Sequence, residues 1–280
     1  MASDPGLKPA LSLDFCNFNI ICYAFSSGIA TRNLLQGHPM LSLALAFYLL
    51  VVLPAQRLWK SRHKGEAGGR SRLRRYVKSI IAITAPLGAL LAFAWLSGLS
   101  AGSLGLDMPV SLPGQWGLVF AVLLLAGLGI GSRMWENKLD DKKRAEYLAR
   151  IRSNETMPRT RAELQIFILL TLFLGIGWEL LYRGFLLLAL SPMAGTIAVV
   201  ILFALAYGLA HGYQNPKQLA GSIISAFAFT IGFALTGSLW WLMLVHVGLP
   251  LFGAISCYRA FNLEVAAGKA ALMNDSRQNV

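Results

Sequence analysis

Apart from tyrosines, Cys257 and the loop residue Lys217, four ionisable side chains lie within residues 164–258. They are Glu179, Arg183, His211 and His246, and Glu179 is the only carboxylate in that part of the sequence. Charged side chains are expensive at membrane depth, so a residue of this kind in an apolar run indicates a functional site by default. Glutamate and histidine can exchange protons or bind a metal ion, and the residues alone leave both chemistries open.

Two observations weigh function against packing for this set. Glu179 and Arg183 are four residues apart, so they share one face of a helix and can form an ion pair. Such a pair could serve helix packing alone, and the sequence favours neither interpretation. A single buried histidine is more often a hydrogen-bonded packing residue. Two histidines on two further helices, with a glutamate on a third, shift the balance towards function.

A metal site is the second chemistry that these residues allow. Two histidines and one glutamate match the ligand count of a catalytic zinc site, but the HExxH spacing is absent. The sequence therefore predicts no definite cofactor and leaves a divalent metal such as zinc, bound by Glu179, His211 and His246, as an alternative. If these three side chains act together, we expect them to line one cavity.

The composition indicates the kind of protein that must position this set. The 280 residues are 56% hydrophobic and 14% charged, with a net charge of +12. A soluble domain carries about 25% charged residues, so the composition excludes an ordinary soluble globule. Nine basic residues lie between Arg57 and Lys78 and nine between Arg133 and Arg161, with apolar runs around them. Basic loops between apolar runs are typical of an integral membrane protein, so we expect no nucleic acid partner.

Apolar windows long enough to cross a bilayer predict the helices. They predict an all-α fold, a polytopic transmembrane helical bundle with about 7–8 transmembrane helices. A weak window at 11–30 contains Asp14 and two asparagines. The other windows are 40–56, 77–98, 115–131, 164–190, 194–211, 219–236 and 238–258.

The two basic loops also predict the orientation of the chain. When both are placed in the cytoplasm, the positive-inside rule leaves both termini cytoplasmic. The sequence predicts four segments. Residues 1–39 form an N-terminal segment with a weak first membrane helix, and 40–160 form membrane helices with two basic cytoplasmic loops. Residues 161–258 form a motif-bearing membrane core, and 259–280 form a cytoplasmic tail.

The second basic loop predicts two helices. Asp140 and Arg144 form an acid-then-base pair four residues apart, and the same spacing recurs nearby, so this part of the loop favours a solvated helix. Thr160 followed by Glu163 and an apolar run is typical of a capping box. We therefore expect the long central helix to begin at the cytoplasmic surface.

Three motifs on successive predicted spans resemble those of the CPBP family, the CAAX prenyl endopeptidase and bacteriocin-processing group, also called the ABI family. The motifs are the segment from Glu179 to Phe185, the segment from Tyr207 to His211 followed by Tyr213 and Gln214, and the segment from Gly237 to Trp240 leading to His246. The resemblance covers most of the chain from about residue 40.

The resemblance implies a membrane-embedded endopeptidase in which a glutamate and a histidine activate water. It gives His211 the water-activating role and His246 the oxyanion-side role, and it matches Glu179 and Arg183 to the second glutamate and the arginine of the first motif. Two positions depart from the family pattern. Trp178 stands where the family has its first glutamate, and Pro250 stands where it has Asn or Asp.

Three hypotheses about function follow from this resemblance and its departures. The first is an endopeptidase of the cell inner (plasma) membrane that hydrolyses membrane-proximal protein or peptide segments, with prenylated or bacteriocin-like substrates and the lipid bilayer as partners. The second is a pseudoprotease that keeps the polar cavity and acts as a membrane scaffold, which Trp178 and Pro250 favour. The third is a small proton-coupled transporter, because buried glutamate and histidine also build proton relays.

Overall fold

The structure, a computed structural model, describes residues 38–62, 71–108, 110–211 and 216–278. All regular secondary structure in these ranges is helical, which confirms the predicted all-α fold. The α-helices are α1 (Pro39–Phe47), α2 (Leu53–Arg62), α3 (Arg72–Leu96), α4 (Leu112–Asn137), α5 (Asp141–Ser153), α6 (Arg161–Trp178), α7 (Leu187–Ala194), α8 (Thr196–Ala210), α9 (Pro216–Thr236) and α10 (Trp240–Gln278).

Two π-helical segments join α-helices end to end, and a short 3₁₀ turn lies between α3 and α4. The first π segment, Tyr48–Val52, connects α1 to α2, and the second, Glu179–Leu186, connects α6 to α7. The 3₁₀ turn is Gly102–Leu104. Each π segment widens one helix locally without ending it.

Within the described residues, six apolar helical segments are long enough to cross a membrane, and the 15-residue helix α8 is shorter. The chain is therefore a multi-pass membrane protein. The six segments are Pro39–Ser61, Arg72–Leu96, Leu112–Asn137, Arg161–Ala194, Pro216–Thr236 and Trp240–Asn262, and together with α8 they correspond to the seven windows predicted from residue 40 onwards. The weak window at 11–30 lies outside the described residues.

The helix starts follow from capping side chains. The hydroxyl of Thr160 accepts from the amide of Glu163 at 3.2 Å, and the Glu163 carboxylate accepts from the amide of Thr160 at 3.1 Å. This confirms the predicted capping box. The solvated helix α5 is also confirmed, but Asp140 stands before it as the N-cap. Its carboxylate accepts from the amide of Lys143 and pairs with the Lys143 ammonium.

The end of α7 also differs from the prediction. The gap between the predicted windows 164–190 and 194–211 implies a turn at 191–193, yet the helix continues through Pro192 to Ala194. The chain turns at Gly195, which has φ +77°, a backbone conformation that glycine adopts without steric cost. Pro192 cannot donate to the carbonyl of Leu188, and the helix ends two residues after it.

The core of the bundle surrounds the second π segment. All eight of its residues are buried, from Glu179 to Leu186. It packs against α3, α8 and the 3₁₀ turn, with Phe185 edge-on to Phe93 at 5.6 Å between ring centroids. Large apolar side chains on the outer helices, such as Leu123, Ile130 and Ile224, are exposed on the outside of the bundle. An apolar exterior around a polar centre is the arrangement that a bilayer requires.

Candidate active site

The central helix carries the first part of the site, and glycines allow its neighbours to approach it. A Cβ atom on Gly175 would lie 2.6 Å from Cγ2 of Val247 and 3.1 Å from its backbone nitrogen. A Cβ atom on Gly177 would lie 3.0 Å from Cγ1 of Ile83. Helices α10 and α3 therefore pack close to α6 just before Glu179, where the helix changes from α to π. Segments of π-helix inside α-helices occur frequently at functional sites.

The first π segment is held to the second by a buried tyrosine. Leu53 donates its amide to the carbonyl of Tyr48, which is the i→i+5 pattern of a π-helix. In this pattern the carbonyl of Leu49 would accept from residue 54, but Pro54 has no amide hydrogen. The hydroxyl of Tyr182 donates to that carbonyl instead, at 2.7 Å. The hydrogen bond fixes the two interrupted helices against each other beside the site.

Glu179 and Arg183 form the buried ion pair that their spacing predicts. Nη1 of Arg183 lies 2.6 Å from each carboxylate oxygen of Glu179, and both side chains are fully buried. The apolar window 164–190 predicts one regular helix, and this was wrong at its centre, because both residues belong to the π segment. A fully buried charge requires a partner of this kind to remain ionised in an apolar interior.

Aromatic rings enclose the rest of the guanidinium. The Cζ atom of Arg183 lies 4.7 Å from the ring centroid of Tyr207, 5.5 Å from that of Phe203 and 5.6 Å from that of Phe229. Among the described residues, its Nε and Nη2 atoms have no hydrogen-bond acceptor. The faces of aromatic rings attract cations, so these three rings supply part of the stabilisation that hydrogen-bond acceptors would otherwise give to the guanidinium.

His246 is the third member of the buried cluster. Its Nδ1 lies 2.8 Å from Oε1 of Glu179, and the side chain keeps 17% of its surface exposed. A carboxylate can only accept a hydrogen bond, so Nδ1 carries the hydrogen and donates it. The hydroxyl of Tyr207 is a more distant neighbour of Nδ1, at 3.4 Å. With Nδ1 occupied, Nε2 is the ring nitrogen of His246 that remains for another molecule.

His211 is oriented in the same way by a different acceptor. The residue directly follows α8, and its Nδ1 lies 3.1 Å from the carbonyl oxygen of Tyr207, one helical turn earlier. The ring also packs on that of Tyr207, with centroids 4.3 Å apart. The rings of His211 and His246 are nearly parallel, at 24°, with centroids 6.0 Å apart. Each imidazole therefore has Nδ1 bound to the protein and Nε2 left over.

Both histidines line one cavity of about 330 Å³. Glu179 does not line it: its carboxylate lies behind His246, so only two of the three residues expected to share a cavity do so. Trp178 and Pro250 line it as well, at the positions where the family pattern has a glutamate and an Asn or Asp. Helix α10 continues through Pro250. The other lining residues are Arg57, Ser79, Phe167, Leu170, Thr171, Leu174, Gly175, Tyr207 and Ala210.

The arrangement does not fit the alternative of a bound metal ion. Within the part of the chain that the structure describes, no three His, Cys, Asp or Glu side chains come together as a ligand set. Both oxygens of Glu179 contact Arg183, and one of them also accepts from His246. Acceptor positions already used by a guanidinium and an imidazole do not offer a carboxylate ligand to zinc.

Tyr207 is the residue whose role the sequence analysis missed. It belongs to the second motif, but no function was assigned to it. In the structure its carbonyl holds His211 and its ring covers Arg183. Its position one turn before His211 is the signal that could have indicated this role, because residues four apart lie on one helix face.

The all-helical fold and the buried polar cluster define the class as a polytopic membrane protein with a polar site enclosed between its helices. A family model described as type II CAAX prenyl endopeptidase Rce1-like matches residues 160–252. The matched range contains Glu179, Arg183, His211 and His246, and it confirms the resemblance to the CAAX-protease group over that third of the chain. No curated protein and no solved structure matches the chain.

Proposed function

We propose that the chain is an intramembrane endopeptidase in which His211 and His246 act on a water molecule and a peptide carbonyl in their shared cavity. Nε2 of His211 accepts the proton as the water oxygen attacks the carbonyl carbon, and the same proton later passes to the leaving amine. His246 presents Nε2 to the oxyanion that forms and donates to it when that nitrogen also carries a proton. Glu179 and Arg183 are positioning residues that act through His246.

The observation that carries this proposal is the common orientation of the two imidazoles. Both line one cavity, and both have Nδ1 bound to a protein acceptor, which fixes the tautomer and the ring. A general base must lie within hydrogen-bond reach of the proton that it removes, and a fixed ring meets this condition without reorganisation. The similarity to type II CAAX prenyl endopeptidases over residues 160–252 supports peptide hydrolysis as the reaction.

A peptide-cleavage assay on the purified protein in lipid tests the proposal. We expect His211→Ala and His246→Ala each to lower kcat by about 10²–10⁴-fold, the usual contribution of a general acid or base. His38→Ala is the matched control, because His38 lies before α1 and outside the cavity. Cleavage by the wild-type protein that survives the loss of both His211 and His246 contradicts the proposal.

A second function is favoured by the residues that replace the expected ones. Trp178 and Pro250 line the cavity and can supply neither a carboxylate nor a side-chain amide. They favour a catalytically impaired scaffold that binds a membrane segment and does not cut it. The same assay separates the two functions. Wild-type protein that is inert, while Trp178→Glu with Pro250→Asn gains cleavage, supports the scaffold.

The cellular setting completes the proposal. We propose the cell inner (plasma) membrane as the location, with the C-terminal tail in the cytoplasm, because the basic loops are then cytoplasmic. A membrane-proximal peptide or protein segment, prenylated or bacteriocin-like, is the proposed substrate. Lys138 and Asp107 lie in loops on opposite sides of the membrane in this orientation. A cysteine introduced at Lys138 should react with an impermeant thiol reagent only in inverted vesicles. A cysteine introduced at Asp107 should react only in intact cells. The reverse pattern contradicts the orientation.

A further inference from the structure

A second cavity of about 180 Å³ adjoins the histidine cavity. The two have Arg57, Ser79 and Trp178 in common, so they are neighbours across one wall. Arg57, Lys60 and Lys78 all line the second cavity, and none of its lining residues is acidic. We call it the cationic cavity.

The cations of this cavity have no acidic partner in the described part of the chain. None of the three basic residues forms an ion pair there, whereas Arg72 and Arg75, at the start of α3, pair with Glu163 and Glu155. Three positive charges around one small space repel each other, and a bound anion relieves that repulsion. The positive-inside rule accounts for basic residues near the cytoplasmic ends of helices, but it does not require them to converge on one cavity.

The position of the cationic cavity indicates where its anion comes from. Its residues come from the first π segment, α2, α3 and the end of α6, and its inner wall includes the buried side chains of Leu53 and Ile83. The cavity opens between helices, with the exposed side chains of Gln56, Lys60 and Lys78 at its rim and Leu53 and Ile83 at its inner wall. Because Arg57, Ser79 and Trp178 line both cavities, a peptide in the histidine cavity lies directly beside the cationic cavity.

We infer that the cationic cavity is a subsite for a carboxylate carried by the peptide that occupies the histidine cavity. This inference rests on the proposed function. The carboxylate is either the free carboxyl terminus of the peptide or an Asp or Glu side chain, since both present the same two oxygens to Arg57, Lys60 and Lys78. The apolar wall of the histidine cavity, which includes Phe167, then holds the apolar part of the same peptide.

The test measures binding and not turnover. Two matched pairs of fluorescent apolar peptides are compared by anisotropy, on ice, with the protein in phosphatidylcholine nanodiscs. One pair ends in a free acid or an amide, and the other carries an internal Asp or Asn. We expect the acid of at least one pair to bind about tenfold more tightly than its neutral partner, which is the effect of about 1.4 kcal/mol. The pair that shows the difference identifies the source of the carboxylate.

Charge-neutral variants connect this preference to the cavity. The double variant Lys60→Gln with Lys78→Gln should bring the affinity ratio of acid to neutral peptide close to one. Lys138→Gln with Lys142→Gln removes two positive charges from the other basic loop and should keep the wild-type ratio. Equal affinities in the wild-type protein overturn the inference, and so does an equal fall of the ratio in both double variants.

Two further outcomes separate this inference from the alternatives. If the wild-type protein cuts no peptide but keeps the acid preference, the proposed function fails and the subsite stands. The second outcome is that acid and neutral peptides bind equally, while labelled phosphatidylglycerol binds the wild-type protein but not the Lys60→Gln, Lys78→Gln variant. In that case the cavity binds a lipid head group and the inference is wrong.

Discussion

The buried pair of Glu179 and Arg183 should tolerate the loss of both charges far better than the loss of one. Both side chains are fully buried, and Nη1 of the arginine contacts both oxygens of the glutamate at 2.6 Å. The variants that test this are Glu179→Gln, Arg183→Met and the double variant. Each replaces a charge with a neutral side chain of similar length, so changes in volume contribute little.

The expected free energies follow from burial. A single substitution leaves one uncompensated charge in the core and should lower the free energy of unfolding by about 3–5 kcal/mol. The double variant leaves no charge, and replacement of a whole buried pair is often close to neutral. It loses the contacts of the guanidinium with three aromatic rings, each worth about 0.5–2 kcal/mol. We therefore expect a coupling energy of at least about 3 kcal/mol between the two positions.

The assay is a double-mutant cycle in mixed micelles, with helix content followed by circular dichroism as the fraction of denaturing detergent rises. Arg75 and Glu155 supply the matched control, because they form an ion pair at 3.2 Å whose side chains are 34% and 62% exposed. The variants Arg75→Met and Glu155→Gln should show a coupling of at most about 1 kcal/mol. Additive effects of Glu179→Gln and Arg183→Met, or single losses below about 1 kcal/mol, would refute the reasoning from burial.

Two other predictions concern the packing around the site. Gly175→Ala should destabilise the protein by about 1–3 kcal/mol, because the new Cβ would meet the side chain and backbone of Val247. Gly127→Ala is the control and should not destabilise it, because nothing lies within 4 Å of the new Cβ. Thermal unfolding of both variants measures the difference. Tyr182→Phe should cost about 1–3 kcal/mol by leaving the carbonyl of Leu49 without its donor. Detergent unfolding measures this cost, and a Tyr182→Phe protein as stable as the wild type would contradict the account of the first π segment.

Much of the fold could be predicted because its signals are local. An apolar window of bilayer length predicts a membrane helix directly, and the seven windows from residue 40 onwards correspond to helices in the structure. The capping box of Thr160 and Glu163 fixed the start of the central helix to within a few residues. The turn predicted at 191–193 was wrong because α7 continues through Pro192 to Ala194, and Gly195, with its positive φ, supplies the turn instead.

The geometry of the site could be predicted only in part. Residues i and i+4 lie on the same face of a helix, so the spacing of Glu179 and Arg183 indicated their ion pair. No residue type signals a π-helix, so the widening at Glu179 could not be read from the sequence. The contact of Glu179 with His246 depends on the packing of α10 against α6, which joins residues 67 positions apart. Long-range contacts of this kind leave no periodic pattern along the chain.

The closeness of Glu179 and Arg183 along the chain has a consequence for how the protein enters the membrane. A lone charge at the centre of a helix costs about 2.5–3.5 kcal/mol during translocon insertion. Because the counter-ion lies four residues further along the same helix, the pair can form before any other helix arrives. The segment Arg161–Ala194 therefore carries its polar centre into the bilayer already neutralised. His246 can join the pair later, when the last span is synthesised and the bundle assembles.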